Sequence, residues 1–489
     1  MPAADIAWAL REVNATKRRR AYKLYRDYYD GRHRMAYSKE RFKRIFNGVF
    51  EEIVDNICPA IVDAVSDRLK ITGFSSTAAK TKVVADASGK SRARVSDPLA
   101  SKAHQIWERN KMGLRSNEVY RESLIAGDGY VIVWPDPSGR AAIWPQEADE
   151  MAVEYSDLVP GELARATRVW KQEDGRLRVN LYYPGHTERY VSRSPGASTA
   201  RATFDPVPGV DDMVVGEGDD AEVLVGVLEN PYGQVPVFHF PNKRLYQYGT
   251  SQLSDVVPLQ DGLNKSVCDL IVAAEFASYR QRWATGLEDP DDDESGKPKE
   301  SPFKPGPDRV FTIESKDAKF GDFSETDLSQ FIEVQENLRA EAARVSGTPL
   351  HYLFITKGDY PSGEAMKSAE ARFSGILEDR QESFGNAWEK ALAFALLIEG
   401  ARVPKDFELK GQWVPATPRS EEEIARTLIL KRKLGISRYQ ALREAGYDDD
   451  LIEQMFEADD GDQAAAADPT LDPAATGAGG NGDLNPAQP

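Results

Sequence analysis

The sequence predicts an α+β fold, with helices toward both ends of the chain and an antiparallel sheet between them. Three observations lead there. Apolar residues recur every three or four positions up to residue 126, every second position from Gly127 to Phe240, and at helical spacing again after Gly249. The chain has 489 residues, 41% of them hydrophobic and 29% charged, which is material for several ordinary cores.

Residues 5–29 read as a helix, with Ile6, Leu10, Val13, Leu24 and Tyr28 near helical spacing, Arg18, Arg19 and Arg20 between them, and a stop at Gly31. Between Phe42 and Leu69, Ile45, Val49, Ile53, Ile57, Ile61 and Val65 recur at intervals of four, and Pro59 predicts a kink or break in that run. Residues 75–98, rich in Ser, Thr, Ala and Lys, read as a loop, and a helix is expected over Pro98–Ala126. Tyr130–Trp134 and Arg140–Trp144 form a hairpin about Asp136-Pro137-Ser138-Gly139. Ala166–Lys171 pairs with Leu177–Tyr182 across Glu173-Asp174-Gly175-Arg176. Val223–Leu228 and Val235–Phe240 continue the sheet around Asn230-Pro231-Tyr232-Gly233.

Leu259, Leu263, Val267, Leu270, Ile271 and Ala274 mark a helix ending near Gly286. A second helix spans Thr326–Val345 and stops at Gly347. Between them lies a polar insertion, acidic from Glu288 to Glu294 and then proline-rich, with a short strand at Val310–Ile313. After a mixed segment, Thr348–Pro361, Ser362 is a good N-cap for a helix reaching Glu399, roughly 50 Å long and therefore read as a strut. Residues 420–457 suit short helices. The tail from Glu457 has seven acids and no Lys or Arg, and its composition is that of a disordered segment.

The formal charge is −17, yet residues 11–44 carry 13 Lys or Arg against 4 Asp or Glu. A uniformly basic nucleic-acid binder is excluded; a basic N-terminal patch is not. Tyr22, Tyr25, Tyr28 and Tyr29 in that patch either stack on bases or form a packed helix face that docks on an acidic neighbour. Two cysteines, Cys58 and Cys268, are too few for a disulfide framework or a four-thiolate zinc site and fit a reducing compartment. Apolar runs stop far short of a membrane span, and the first residues lack the order of a signal peptide, so a soluble intracellular chain is expected.

Several motifs fail on inspection. Gly89-Lys90-Ser91 lacks the upstream glycine of a phosphate loop, since Val84 stands there. Gly216-Glu217-Gly218 would set acids against a pyrophosphate, with no helix following. Asp291, Asp293, Ser295 and Gly296 match the start of a calcium loop, but Pro302 stands where the bidentate Glu belongs. The histidines (33, 104, 186, 239 and 351) are scattered, and no Gly-x-Ser-x-Gly elbow is present. No catalytic constellation, cofactor or metal is expected.

The order of short segments is more telling than any one of them. Tyr28-Tyr29-Asp30-Gly31, Asn56-Ile57-Cys58-Pro59, Asp67-Arg68-Leu69, Gly127-Asp128-Gly129-Tyr130-Val131 and Asn230-Pro231-Tyr232-Gly233-Gln234-Val235-Pro236-Val237 come first. Leu259-Gln260-Asp261-Gly262-Leu263-Asn264-Lys265, Glu275-Phe276-Ala277, Gly347-Thr348-Pro349-Leu350-His351-Tyr352-Leu353 and Ser362-Gly363-Glu364-Ala365-Met366-Lys367 with Ala369-Glu370 follow. In this order the chain resembles, over about residues 20–455, the portal proteins of tailed double-stranded DNA phages, in particular long-tailed phages of actinobacteria.

The resemblance implies a non-enzymatic ring subunit, typically one of twelve, at one capsid vertex of the virion, assembled in the host cytoplasm. Its parts would be a wing of helices and antiparallel sheet (1–251), a stem of two helices (252–285 and 326–346), a small α/β clip (286–325), a tunnel loop (347–361), a long spine helix (362–399), a helical crown (400–457) and an acidic tail (458–489). The partners implied are double-stranded DNA in the channel, the terminase large subunit, a head-completion or adaptor protein, and the major capsid protein with scaffold; no membrane is involved. Lys357, Asp359, Tyr360 and Lys367 are the candidates for facing DNA, and Asp291, Asp292, Asp293 and Glu294 for docking partners at the clip. The competing readings are a metal-dependent nuclease, which would need carboxylates converging on one site, and a capsid or tail-completion scaffold without a channel.

Overall fold

The computed structural model describes residues 2–33, 54–78, 80–85, 91–196, 202–209, 212–215, 222–244, 247–278, 282–285, 319–322, 327–353, 363–404, 406–417 and 421–436, with single positions between 438 and 456. Helices α1 (Pro2–Val13) and α2 (Thr16–Tyr29) replace the one helix expected over residues 5–29. Ala15 leaves the helical region at ψ 108°, and the Asn14 side chain donates to the Leu10 carbonyl at 2.8 Å, closing the first helix. The break lets α1 lie on one sheet while α2 packs on α5, introduced below. Helix α3 (Cys58–Ser66) opens with Pro59 in its first turn, so the proline acts as a start, and the part of the expected run up to residue 53 lies outside the described residues.

Strands β1 (Ile71–Ser76), β2 (Lys80–Ala85) and β3 (Ser91–Ser96) overturn the loop expected over residues 75–98. β2 and β3 pair antiparallel, Lys80 opposite Ser96 and Ala85 opposite Ser91. Their alternation is largely polar, which is why apolar patterning missed them. Helices α4 (Pro98–Arg109) and α5 (Met112–Ala126) divide the single helix expected over 98–126. Lys111 adopts a left-handed φ of 54°, and the Asn110 side chain donates to the Ile106 and Ala141 carbonyls and accepts from the Ile143 amide. That corner is held by tertiary partners that the local sequence does not announce.

Ten strands follow: β4 (Asp128–Pro135), β5 (Ala141–Gln146), β6 (Met151–Tyr155), β7 (Leu163–Lys171), β8 (Leu177–Tyr182), β9 (His186–Ser192), β10 (Phe204–Pro206), β11 (Asp212–Val215), β12 (Glu222–Glu229) and β13 (Val237–Pro241). They make two antiparallel sheets where one was expected. One runs β11-β12-β9-β8-β7-β6 with β10 beside β9, and the other β13-β4-β5. β12 and β13 therefore do not pair with each other: β12 pairs with β9 and β11, β13 with β4. The Asn230 side chain, donating to the Tyr183 and Gln234 carbonyls, steers the chain from one sheet to the other. The hairpins at Asp136–Gly139 and Glu173–Arg176 form as expected.

Helix α6 (Val257–Ser278) ends eight residues before the predicted stop, and β14 (Arg282–Thr285) pairs with β15 (Lys319–Asp322). This two-stranded neck closes the base of the insertion, whose strand expected at Val310–Ile313 lies outside the described residues. Helix α7 (Ser329–Ser346) packs along α6 and ends on Gly347, whose φ of 74° is the left-handed terminus the sequence predicted. Helix α8 (Gly363–Ile398) runs 36 residues, followed by β16 (Leu409–Trp413), which pairs with β1 across more than 330 positions, and α9 (Glu421–Lys433).

The expected strut is embedded rather than free. From Phe373 onward α8 buries Leu377, Phe384, Trp388, Leu392 and Phe394 against α4, α5 and the three-stranded sheet. Trp388 meets Trp107 edge-on at 5.0 Å and donates from Nε1 to Tyr120 at 2.8 Å, while Tyr120 stacks on Phe384. Trp388→Ala should lower unfolding free energy by about 3–5 kcal/mol, whereas Leu158→Ala should stay within about 0.5 kcal/mol. Denaturant titration of the two variants checks this; Leu158 is 91% exposed.

Candidate functional site

Asp128 opens β4 with no solvent exposure, and a buried carboxylate requires partners on both oxygens. His239 Nε2 on β13 and the Gly249 amide lie 2.8 and 2.7 Å from Oδ1, and the Tyr22 hydroxyl on α2 donates to Oδ2. An ionised carboxylate only accepts, so His239 carries its proton on Nε2. Nδ1 meets the Tyr155 hydroxyl at 2.8 Å, and Tyr130 stacks on the imidazole with ring centroids 4.6 Å apart. Burial opposes ionisation of Asp128, but hydrogen bonds from His239, Gly249 and Tyr22 hold its pKa below the usual value. Gly249 must be glycine: a Cβ there would meet the Asn242 backbone at 2.6 Å and overlap the Gly127 carbonyl.

The N-terminal tyrosines are packed, and Tyr22 and Tyr28, both buried, have no face open to bases. Tyr28 donates to Asp261 and Tyr29 to Asp63, while Arg26 pairs with Glu122 and Asp149. For Arg26, Tyr28 and Tyr29 the acidic neighbours belong to the same chain. Arg18 lies over the Tyr248 ring at 4.0 Å.

The segment expected to form the tunnel loop is rooted in a polar cluster. Ser346 donates to the Ala342 carbonyl at 2.7 Å, Leu350–Tyr352 makes one 3₁₀ turn, and Leu353 is buried. Across from it Glu370 on α8 accepts from the Tyr352 hydroxyl at 3.2 Å, with His351 at 3.3 Å and Arg68 at 3.4 Å. Arg68 also donates to the Tyr352 oxygen, and burial, countered by Arg68, raises the Tyr352 pKa. Arg68, His351 and Glu370 appear in the sequence motifs, but no role could be assigned to them, because they converge only through the fold. Lys357, Asp359 and Tyr360 lie outside the described residues, as do Asp291, Asp292, Asp293 and Glu294. Lys367 sits near the start of α8, where only the backbone is described. Among the described residues no group of three His, Cys, Asp or Glu could hold a metal ion, and no helix is long and apolar enough to cross a membrane.

The sequence model of one family, phage portal protein, SPP1 Gp6-like, matches residues 12–465. The chain belongs to that family. The portal protein of Mycobacterium phage D29 is 25% identical over 442 residues, spanning 84% of this chain and 81% of the relative. That of Mycobacterium phage L5 is 24% identical over 440 residues, with the same coverage. Among solved structures, a chain in the neck of an empty GTA particle, computed with C6 symmetry, is 14% identical over 84% of this chain and 95% of its own length, with a TM-score of 0.44. One in the virion of a native gene transfer agent particle is also 14% identical over 84% of this chain, covering 94% of its own length, with a TM-score of 0.42. The Gly-Asp-Gly-Tyr segment that carried part of the portal resemblance is thus also the packing hub at Asp128.

Asp128→Asn should cost about 3 kcal/mol at neutral pH, because it breaks a buried pair. A depressed native pKa means that this contribution is complete above the unfolded value, 3.8, and fades as pH falls through the native one. The gap between wild type and variant should accordingly begin to narrow only as pH falls below 3.8, and close toward the lower native value, as read by denaturant unfolding across pH 2–7.

Proposed function

We propose that copies of this chain form a ring at one capsid vertex, and that double-stranded DNA enters and leaves through its axial opening. The observation that carries this reading is the family match across residues 12–465. The layout agrees with it: paired helices α6 and α7 frame an insertion closed by the β14–β15 neck, and α8 departs from the end of a short polar-rooted segment. In this reading the two helices are the stem, the insertion is the clip, residues 347–361 are the tunnel loop and residues 400–457 the crown.

The work of such a ring is passage, not bond chemistry. A strongly basic lining would displace counterions, bind phosphates and brake the DNA. A chain of charge −17 suits a weakly adhesive lining, with Lys357 and Lys367 as isolated cations at the constriction beside Asp359 and Tyr360. Asp291, Asp292, Asp293 and Glu294 would meet basic surfaces of the terminase large subunit during packaging and of an adaptor protein afterward. Capsid protein and scaffold would surround the wing, and assembly would take place in the host cytoplasm.

Electron microscopy of the purified full chain, alone and co-expressed with scaffold, should give rings with a central opening. DNA incubated with these rings and magnesium should remain uncut. Monomers under both conditions, or magnesium-dependent cleavage, would overturn the reading. Replacing residues 291–294 by Asn and Gln should weaken terminase binding and flatten its salt dependence, as measured by sedimentation; unchanged binding would remove the clip assignment.

A further inference from the structure

One face of the seven-stranded sheet is apolar and covered by α1, through Ile6, Trp8 and Ala9 on Val169, Val179 and Leu181. The other face is chemically different. Antiparallel register sets Arg168 beside Asn180, Asn180 beside Arg189 and Trp170 beside Arg178. Where this face turns toward the β4–β5 hairpin it leaves a slot of about 470 Å³, lined among others by Arg168, Arg189, Asn180, Gln146, Trp134 and Trp144.

The charges on this face do not balance. Arg168 pairs with Glu150 at 2.8 Å and Arg189 with Asp212 at 2.7 Å. Arg178, at the outer end of the row, has no carboxylate partner among the described residues; it overlies the Trp170 ring at 5.9 Å, while Arg168 overlies the same ring at 4.4 Å. Its Nε is buried without a hydrogen-bond partner, as are Arg189 Nε, Asn180 Oδ1, Gln146 Oε1 and Thr187 Oγ1. Burial and then the charge of Arg189 lower the Arg178 pKa, and Tyr182 offsets them only in part. An unpartnered guanidinium nitrogen beside Trp170, on the face that also carries the slot with Trp144 39% exposed, has the composition of a protein-interface centre, where Arg and Trp predominate.

We propose that this face is a contact between copies of the chain, in which an acidic side chain of a second copy enters beside Trp170 and seats its carboxylate on Arg178. The occupant follows from charge complementarity: each copy carries 79 Asp or Glu against 62 Lys or Arg, so its neighbour presents carboxylates in excess. The proposal rests on the ring reading above and adds to it which residues hold one subunit to the next.

The test uses Arg178→Lys in the full chain, assembled into rings from mixed isotope-labelled and unlabelled copies. A carbodiimide couples the introduced amine to an adjacent carboxylate, forming an amide with loss of water that the reagent takes up as a urea. Mass spectrometry should find position 178 joined to an Asp or Glu of the other isotope. In parallel, Arg178→Gln rings should dissociate at about half the sodium chloride needed for wild type, with the monomer's melting temperature unchanged. Arg176→Gln, on the exposed turn two residues away, should behave as wild type. Rings that form normally and give only same-copy coupling, or no coupling, at position 178 would overturn the contact and leave the ring reading standing. An unchanged dissociation midpoint for Arg178→Gln would do the same. A wild-type chain that forms no ring even with scaffold would overturn both.

Discussion

The packing of the N-terminal helices on the three-stranded sheet depends on one charge placed where water cannot reach it. Asp128 has three hydrogen-bond donors, from α2, β13 and the loop that leads into α6, and each comes from a segment distant in sequence. A buried carboxylate with a donor missing is destabilising by several kcal/mol, so the segments are required together. The close backbone approach of Gly127 to Gly249 completes the constraint, since no side chain fits between them. With this corner fixed, the three-stranded sheet has its orientation, and the entry to α6 has its position relative to α2.

From that corner the chain's two long-range tasks separate. α8 is held along most of its length by aromatic packing around Trp388, Phe384 and Tyr120, which makes its far end a rigid platform. Its near end is tied through Glu370 to Arg68, His351 and Tyr352, a polar cluster rather than an apolar one. Polar ties of this kind fix position through geometry, yet contribute less net stability than packing. Such a root sets where the chain leaves α7 and where α8 begins, with geometry rather than burial as the constraint.

The sequence was legible where the information is local. Period-four stripes located α6, α7 and α8, and the turn residues at Asp136–Gly139 and Glu173–Arg176 located their hairpins, because both signals are read within a dozen residues. It was illegible where the partner is remote or the pattern polar. β1 finds β16 more than 330 positions away, β12 and β13 join different sheets although only seven residues separate them, and β2–β3 alternates Lys and Arg where apolar residues were sought. Lys111 takes a left-handed turn without a glycine because Asn110 is stapled to β5. The site followed the same rule: Asp128 could be quoted as part of a motif, but its three partners come from positions 22, 239 and 249.

Net charge makes the assembly problem sharper. Copies at −17 repel one another, and at physiological salt that repulsion is screened only beyond about 8 Å, so it acts fully at contact distance. A ring of like-charged subunits therefore needs cations placed at the contacts. The basic N-terminal segment is a poor source: its described arginines include Arg18, turned onto Tyr248, and Arg26, which is spent on Glu122 and Asp149 inside the same chain. What remains must come from arginines the fold leaves unmatched. Arg178, held at the open end of an arginine row whose other members are already paired, meets that requirement by its position in the sheet register.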